Sequence, residues 1–289
     1  MFEWSEVCGT GRPEAMRPYR NAVAVMGIVN VTPDSFSDGG RFLDPDAAIA
    51  HGLALVQQGA DLLDVGGEST RPGADPVDDA EELRRVLPVI ETLAATAGVP
   101  ISVDTTKASV ADAALAAGAR LVNDVSAARF DPDLLDVVAE RGAGYVAVHM
   151  QGEPRTMQDA PRYNDVVREV GDFLAERADV ARAAGIADAA LALDPGIGFG
   201  KTPAHNLELL AKLDALVARF DPPLVVGASR KRFLGALVGN DTVERRDDGT
   251  LATTVWTIGL GARVIRVHDV RGTARAVALY DVMARADAA

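Results

Sequence analysis

Acidic, amide and cationic side chains recur at one kind of place in this chain: directly after a short apolar, β-branched run and directly before a loop containing Gly, Ser or Thr. The first such stretch is VMGIVNVTPDSFSDGG, residues 25–40, where Asn30 ends the apolar run and Phe36 and Asp38 lie in the loop. LLDVGGESTRPG then brings Asp64, ISVDTTK brings Asp104, and LVNDVSA brings Asn123 and Asp124. Later runs end at His149 and Met150, at Asp194, at Lys231, and at Arg266 with His268. One Asx residue in such a place is as readily a loop or helix cap as a functional group. Four successive runs ending this way are harder to explain as caps alone. A ring of carboxylates and amides can accept from, and donate to, the edge of a heterocycle with several N–H groups.

The cations are grouped separately: Arg71 in the second loop, Arg230, Lys231 and Arg232 after the seventh run, and Arg266 with His268 in the eighth. In a chain of formal net charge −13, that grouping is a local site for an anion such as phosphate or carboxylate. The same net charge argues against a general nucleic-acid or anionic-membrane binder, since both need a basic face. GIGFGKT, residues 196–202, is not a phosphate-binding P-loop, because the pattern requires Gly at 195 and the chain has Pro195. Its glycines let backbone approach a ligand, with Phe199 as a stacking surface. His51 and His205 fall in helical stretches and read as structural. With no CxxC, HExxH or His cluster, a tightly held zinc is not expected. Mg²⁺ carried in on a phosphorylated substrate and touched by one or two oxygen ligands is compatible.

These strand ends need a scaffold that brings them together. Apolar residues make up 48% and charged residues 25% of the 289, the composition of a folded globular chain. Strands are expected at 23–30, 61–66, 100–104, 120–125, 144–149, 190–195, 223–229 and 263–268. Helices are expected between them at 45–58, 78–96, 107–117, 133–141, 164–184, 203–218 and 248–260, with a last one at 271–285. Asp44 is the candidate N-cap of the first helix, Pro45 its first residue and Gly59 its stop. Eight consecutive β-α units without a composition break are the count of a single-domain (β/α)₈ TIM barrel over residues 22–289. In that architecture chemistry sits at the carboxyl ends of the strands, which accounts for the polar endings.

Residues 1–21 hold Gly9, Gly11, Pro13 and Pro18 and read as a flexible N-terminal tail. The only cysteine, Cys8, lies there, so no intrachain disulfide is possible. No apolar window suits export or membrane spanning, and a cytoplasmic location is expected.

Taken together, MGIVNVTPDSFSDGG, LLDVGGESTRPGA, SVDTTKA, VNDVSA, LDPGIGFGKT, GASRKRFLG and VIRVHDV resemble the dihydropteroate synthase family of folate biosynthesis. The resemblance implies a pterin-binding barrel that joins 6-hydroxymethyl-7,8-dihydropterin diphosphate to 4-aminobenzoate. It implies pterin contacts at Asp64, Asp104, Asn123, Met150, Asp194, Phe199, Lys231 and Arg266, and diphosphate contacts at Asn30, Arg266 and His268, with Asn30 also touching Mg²⁺. It places Phe36, Thr70, Arg71, Pro72, Phe199, Ser229 and Arg230 around the aminobenzoate, and gives catalytic parts to Asp38, Asp104, Lys231 and Arg266. A homodimer and inhibition by sulfonamides are implied as well. A pterin-binding methyltransferase and a non-catalytic pterin-binding paralogue are the competing readings. The two long loops and the Ser-Arg-Lys stretch favour the synthase.

Overall fold

The computed structural model describes residues 1–8, 23–32, 44–71, 73–237 and 243–287. Eight parallel strands follow one another: β1 (Ala24–Asn30), β2 (Leu62–Gly66), β3 (Ile101–Asp104), β4 (Leu121–Asp124), β5 (Gly144–Val148), β6 (Leu191–Asp194), β7 (Val225–Val226) and β8 (Val264–Val267). They pair in the order β6-β5-β4-β3-β2-β1-β8-β7. A parallel bridge from Leu193 to Leu224, with the Leu193 N–H donating to Pro223 O at 3.1 Å, brings β6 and β7 together and rounds the sheet into a barrel.

Ten α-helices are present among the described residues: α1 (Pro45–Gln58), α2 (Asp79–Thr96), α3 (Ala108–Ala116), α4 (Leu134–Arg141), α5 (Val166–Ala183), α6 (Pro203–Ala211), α7 (Leu213–Val217), α8 (Arg232–Leu237), α9 (Val243–Gly259) and α10 (Val270–Asp287). The start of α1 is as expected: the Asp44 carboxylate accepts from the Asp46 N–H, Pro45 is the first helical residue, and Gly59 closes the helix at φ +106°. The helix expected over 203–218 is two helices, broken at Lys212 (φ −113°, ψ 28°). The seventh strand is only two residues long. Pro222 and Pro223 precede it without N–H donors, and Gly227 follows it. The stretch after it, where no helix is expected before 248, holds the short α8.

Period-two alternation decides which side chains meet inside the barrel. Ala24, Met26, Leu62, Leu121, Val146, Ala192, Val225 and Val264 form the inner core, whereas their neighbours Val25, Leu63, Val122, Ala147, Leu193, Val226 and Ile265 pack outward under the helices. Counting on in twos from the inner set reaches Ile28 and Asn30, Asp64, Asn123, Val148 and Met150, Asp194, and Arg266 and His268. The barrel interior therefore changes from apolar to polar toward the carboxyl ends of its strands.

The flexible tail expected over residues 1–21 is contradicted for residues 1–8. Phe2 and Trp4 are 1% and 3% exposed and belong to the inner core, their rings meeting edge to face at 5.4 Å. The Phe2 N–H donates to Gly142 O at 2.9 Å, Trp4 Nε1 donates to Ala190 O at 3.1 Å, and Glu6 pairs with Arg120 at 2.8 Å. The segment closes the amino end of the barrel, opposite the polar one. Burial of Phe2, Trp4 and Val7, together with these hydrogen bonds and the ion pair, offsets the cost of ordering the segment. Cys8 lies against it, its thiol pushed up to about 11 by burial.

Candidate functional site

Three strands meet at one guanidinium. Arg266, from β8, donates through Nε to Asp64 Oδ2 at 2.6 Å and through Nη2 to Asp104 Oδ2 at 2.7 Å. The register explains the meeting: β1 pairs with β2 through Ile28 and Asp64 and with β8 through Met26 and Arg266, and β2 pairs with β3 through Gly66 and Asp104. Asn123, opposite Asp104 in the β3–β4 pair, donates through Nδ2 to the same Asp64 Oδ2 at 3.0 Å. Asp64 is wholly buried, and its other oxygen, Oδ1, has no partner among the described residues. It acts as the hub that orients Arg266 and Asn123.

Two carboxylates against one guanidinium leave the cluster net acidic. Burial pushes the Asp104 carboxyl up to about 7; Arg266 opposes that, and the charges of Asp64, Glu82 and Asp124 add to it. Burial alone lowers the Arg266 pKa, but Asp64 and Asp104 raise it further than burial lowers it. The guanidinium is a permanent charge at every working pH.

Across the barrel mouth, Asp194 at the end of β6 accepts from the Gly196 N–H at 2.6 Å. Gly196 sits at φ +65°, and a Cβ there would lie 1.7 Å from His149 O, so only glycine allows this turn. Burial raises the Asp194 carboxyl to about 6, against the Gly196 N–H and the charge of Lys231. Lys231 extends its ammonium over the Phe199 ring, 3.8 Å from the centroid. Burial lowers the Lys231 pKa to about 8, with Asp194 opposing. Met150 is buried in the inner core, and Phe199 packs against that core from its edge.

The cationic side is built around His268. Its Nδ1 lies 2.9 Å from Ser229 Oγ, and its N–H donates to the same oxygen at 3.1 Å. Burial, followed by the charges of Arg230, Arg266, Arg71 and Lys231, holds the imidazole pKa down to about 3, so the ring is neutral. Arg230 occupies a left-handed turn (φ 57°) and is bound in bidentate fashion to Asp247, at 2.7 and 2.8 Å. Its guanidinium is thus engaged, and it shapes this side from behind. Arg71 is exposed and Thr70 partly so, on the loop after β2, and Asn30 stands half-exposed at the end of β1. Phe36, Asp38 and Pro72 lie outside the described residues.

Asp124 shows the capping alternative winning. It accepts from the Ser126 N–H and Oγ at 2.7 Å each, from the Ala128 N–H, and from the Tyr145 hydroxyl at 2.9 Å. That network holds the turn at Ala127 and Ala128, both at positive φ. His205 is likewise a cap, exchanging bonds with Thr202 at the start of α6. Missed from sequence was Lys201, 2% exposed, whose ammonium meets His149 Nδ1 at 2.8 Å, Gly196 O at 2.9 Å and Phe199 O at 3.1 Å. It fixes the turn that carries Phe199. Two of its three partners are backbone carbonyls, which leave no mark in a sequence. Ser102, buried with an unpartnered hydroxyl, is reached by counting back two from Asp104.

Known proteins resemble this chain in sequence and in overall fold. The family model described as pterin binding enzyme matches residues 26–268. Dihydropteroate synthase of Mycobacterium leprae is 50% identical over 261 residues, covering 88% of this chain and 91% of that one. The solved structure of Xanthomonas albilineans dihydropteroate synthase with 4-aminobenzoic acid has a TM-score of 0.85 at 50% identity, covering 91% of this chain and 93% of its own. The Yersinia pestis dihydropteroate synthase with a sulfonamide drug complex has a TM-score of 0.87 at 44% identity, covering 91% and 95%.

Proposed function

The chain belongs to the dihydropteroate synthases, within the pterin-binding enzyme family, and on that premise we propose how its own side chains divide the work. It is a transferase that condenses 6-hydroxymethyl-7,8-dihydropterin diphosphate with 4-aminobenzoate to give 7,8-dihydropteroate and diphosphate. The observation that carries the division is the Asp64–Arg266–Asp104 cluster, because it couples an acceptor-rich face to a cation in one buried network.

The pterin lies against Asp104, Asn123, Asp194 and Lys231, with Met150 beneath it and Phe199 at its edge. Asp64 holds the Asn123 Nδ2 and so turns Oδ1 toward the ring as an acceptor. Asp194 accepts ring N–H groups with the carboxylate oxygen that Gly196 does not occupy. Arg266 has Nε and Nη2 committed to carboxylates, which leaves Nη1 for the diphosphate. The neutral His268, with Nδ1 facing Ser229, offers Nε2 to the same group. Arg71, Thr70, Ser229 and the Arg230 turn frame the aminobenzoate, with Phe36 and Pro72 assigned by family resemblance alone.

Among the described residues there is no cluster of three or more His, Cys, Asp or Glu that would cage a metal. The donor chemistry fits a Mg²⁺ carried by the diphosphate itself, with the Asn30 amide oxygen as one protein ligand. When bound, the ion neutralises diphosphate charge. The Arg266 charge adds to that neutralisation and the neutral His268 donates a hydrogen bond, so the bond from the exocyclic carbon to diphosphate oxygen breaks with its electron pair leaving on the diphosphate. The dihydropterin shares the positive charge left behind, and the Asp104 carboxylate, with Asp38 by resemblance, stabilises it. The aminobenzoate nitrogen then bonds to that carbon and releases a proton. Positioning and electrostatics do this work without a covalent enzyme intermediate.

Sulfonamides, as analogues of the aminobenzoate, should inhibit competitively against it and not against the pterin diphosphate. Inhibition of the opposite pattern would overturn this division of the pocket. We also propose a cytoplasmic homodimer packed through α9 and α10, where Val255, Trp256, Leu279, Val282 and Met283 are exposed. Light scattering should show twice the 30.3 kDa chain mass, falling to one chain in Leu279→Glu/Met283→Glu; an unshifted dimer would exclude this face.

A further inference from the structure

Both feet of the loop between β2 and α2 converge on one ammonium outside the site described above. Lys107 Nζ, from the residue preceding α3, donates to Glu68 Oε2 at 2.5 Å, to Val77 O at 2.7 Å and to Glu82 Oε2 at 2.5 Å. Glu68 stands just after β2, Val77 just before α2, and Glu82 in the first turn of α2. Three ammonium protons thus meet three acceptors, one from each foot of the loop and one from the helix behind it.

The surroundings make the staple specific. Glu82 is 1% exposed, and its second oxygen, Oε1, has no partner among the described residues. Burial raises the Glu82 carboxyl, and Lys107 opposes that rise. The first foot is held again by Arg85, whose Nη1 donates to Gly67 O at 2.8 Å. A Cβ on Gly67 would stand 2.7 Å from Val86 Cγ1 and 3.1 Å from Glu82 Cγ, so the backbone there lies flush on α2. Thr70 and Arg71 on one side and residues 73–76 on the other lie between feet whose separation Lys107 sets, with the Gly73 N–H donating to Pro154 O at 3.4 Å. A loop with fixed ends samples fewer conformations than one with free ends.

We propose that Lys107 is a positioning residue for the aminobenzoate half of the reaction: it fixes the span of this loop and thereby the place of Thr70 and Arg71. It touches no reacting atom. This assignment rests on the loop serving aminobenzoate, as set out above. A purely structural ion pair would change stability and leave the two substrates equally served.

Steady-state kinetics on Lys107→Met, on the charge-balanced Lys107→Met/Glu82→Gln, and on Arg71→Ala separate these cases, with thermal unfolding measured alongside. The double variant removes the uncompensated buried carboxylate, so its melting temperature should recover toward wild type. Its KM for 4-aminobenzoate should nevertheless remain at least about tenfold raised, with KM for the pterin diphosphate within about twofold of wild type, as should that of the single variant. Recovery of the aminobenzoate KM together with the melting temperature would overturn the proposal, as would equal changes in both KM values. If Arg71→Ala raises the aminobenzoate KM and the Lys107 variants do not, the Lys107 assignment alone falls. If none of the three raises it, the loop does not serve aminobenzoate and both assignments fall.

Discussion

Asp104→Asn separates catalysis from stability at the centre of the site. The amide keeps the shape of the carboxylate and can still accept from Arg266 Nη2, now 2.7 Å away, but it removes the negative charge. Stability should not suffer. The Asp104 carboxyl is already pushed from its ordinary 3.8 up to about 7 by burial and by the neighbouring Asp64, Glu82 and Asp124, so the fold gains little from its ionisation. A charged hydrogen bond becoming a neutral one costs about 1 kcal/mol, which relief of the carboxylate crowding offsets. Turnover should suffer badly. A carboxylate about 4 Å from a developing carbocation, at an effective dielectric constant of about 20, stabilises it by about 4 kcal/mol, or roughly a thousandfold in rate. Diphosphate release under saturating substrates should fall by at least about a hundredfold, while the melting temperature stays within a few degrees of wild type or rises. A variant that turns over within about threefold of wild type would refute the charge-stabilising part given to Asp104. One that loses activity only in step with lost fold would refute the claim that its ionisation is there for chemistry.

Lys231 should set an alkaline limb. Burial lowers its pKa to about 8, so the ammonium is present below that value and lost as pH rises through it; kcat/KM for the pterin diphosphate should decline above about pH 8. Lys231→Arg should move that limb beyond the assay range, and an unmoved limb would assign it to another group. Deleting residues 1–8 removes Phe2 and Trp4 from the inner core, at about 1.5–3 kcal/mol each. The melting temperature should fall by at least about 5 °C with both KM values unchanged, and an unshifted transition would show that the segment does not hold the barrel closed.

The strand-end residues were legible because two periodicities coincide in them. Alternation along β2, β4, β6 and β8 sends Leu62, Leu121, Ala192 and Val264 inward, and the next inward positions are Asp64, Asn123, Asp194 and Arg266. The start of α1 was legible because Asp44, Pro45 and Gly59 each have a local conformational reason to be there. What could not be read depends on contacts between distant segments. Phe2 and Trp4 lie in a short stretch without periodicity beside a Gly- and Pro-containing one, and only the open end of the barrel explains their burial. Lys201 meets His149, just after β5, as well as two nearby carbonyls, and Lys107 meets Glu68, Val77 O and Glu82 from well back along the chain. Arg230 reads as available for a ligand in the sequence, but Asp247, seventeen residues on, holds it. Lys212 carries no Gly or Pro signal, yet the helix divides there.

The most direct test of the whole assignment is diphosphate release by the purified protein with Mg²⁺ and the pterin diphosphate, measured with and without 4-aminobenzoate. Release with both substrates, matched one for one by 7,8-dihydropteroate and nearly absent when the amine is omitted, is the expected result. No release with both substrates present, or release at the same rate without the amine, would contradict it.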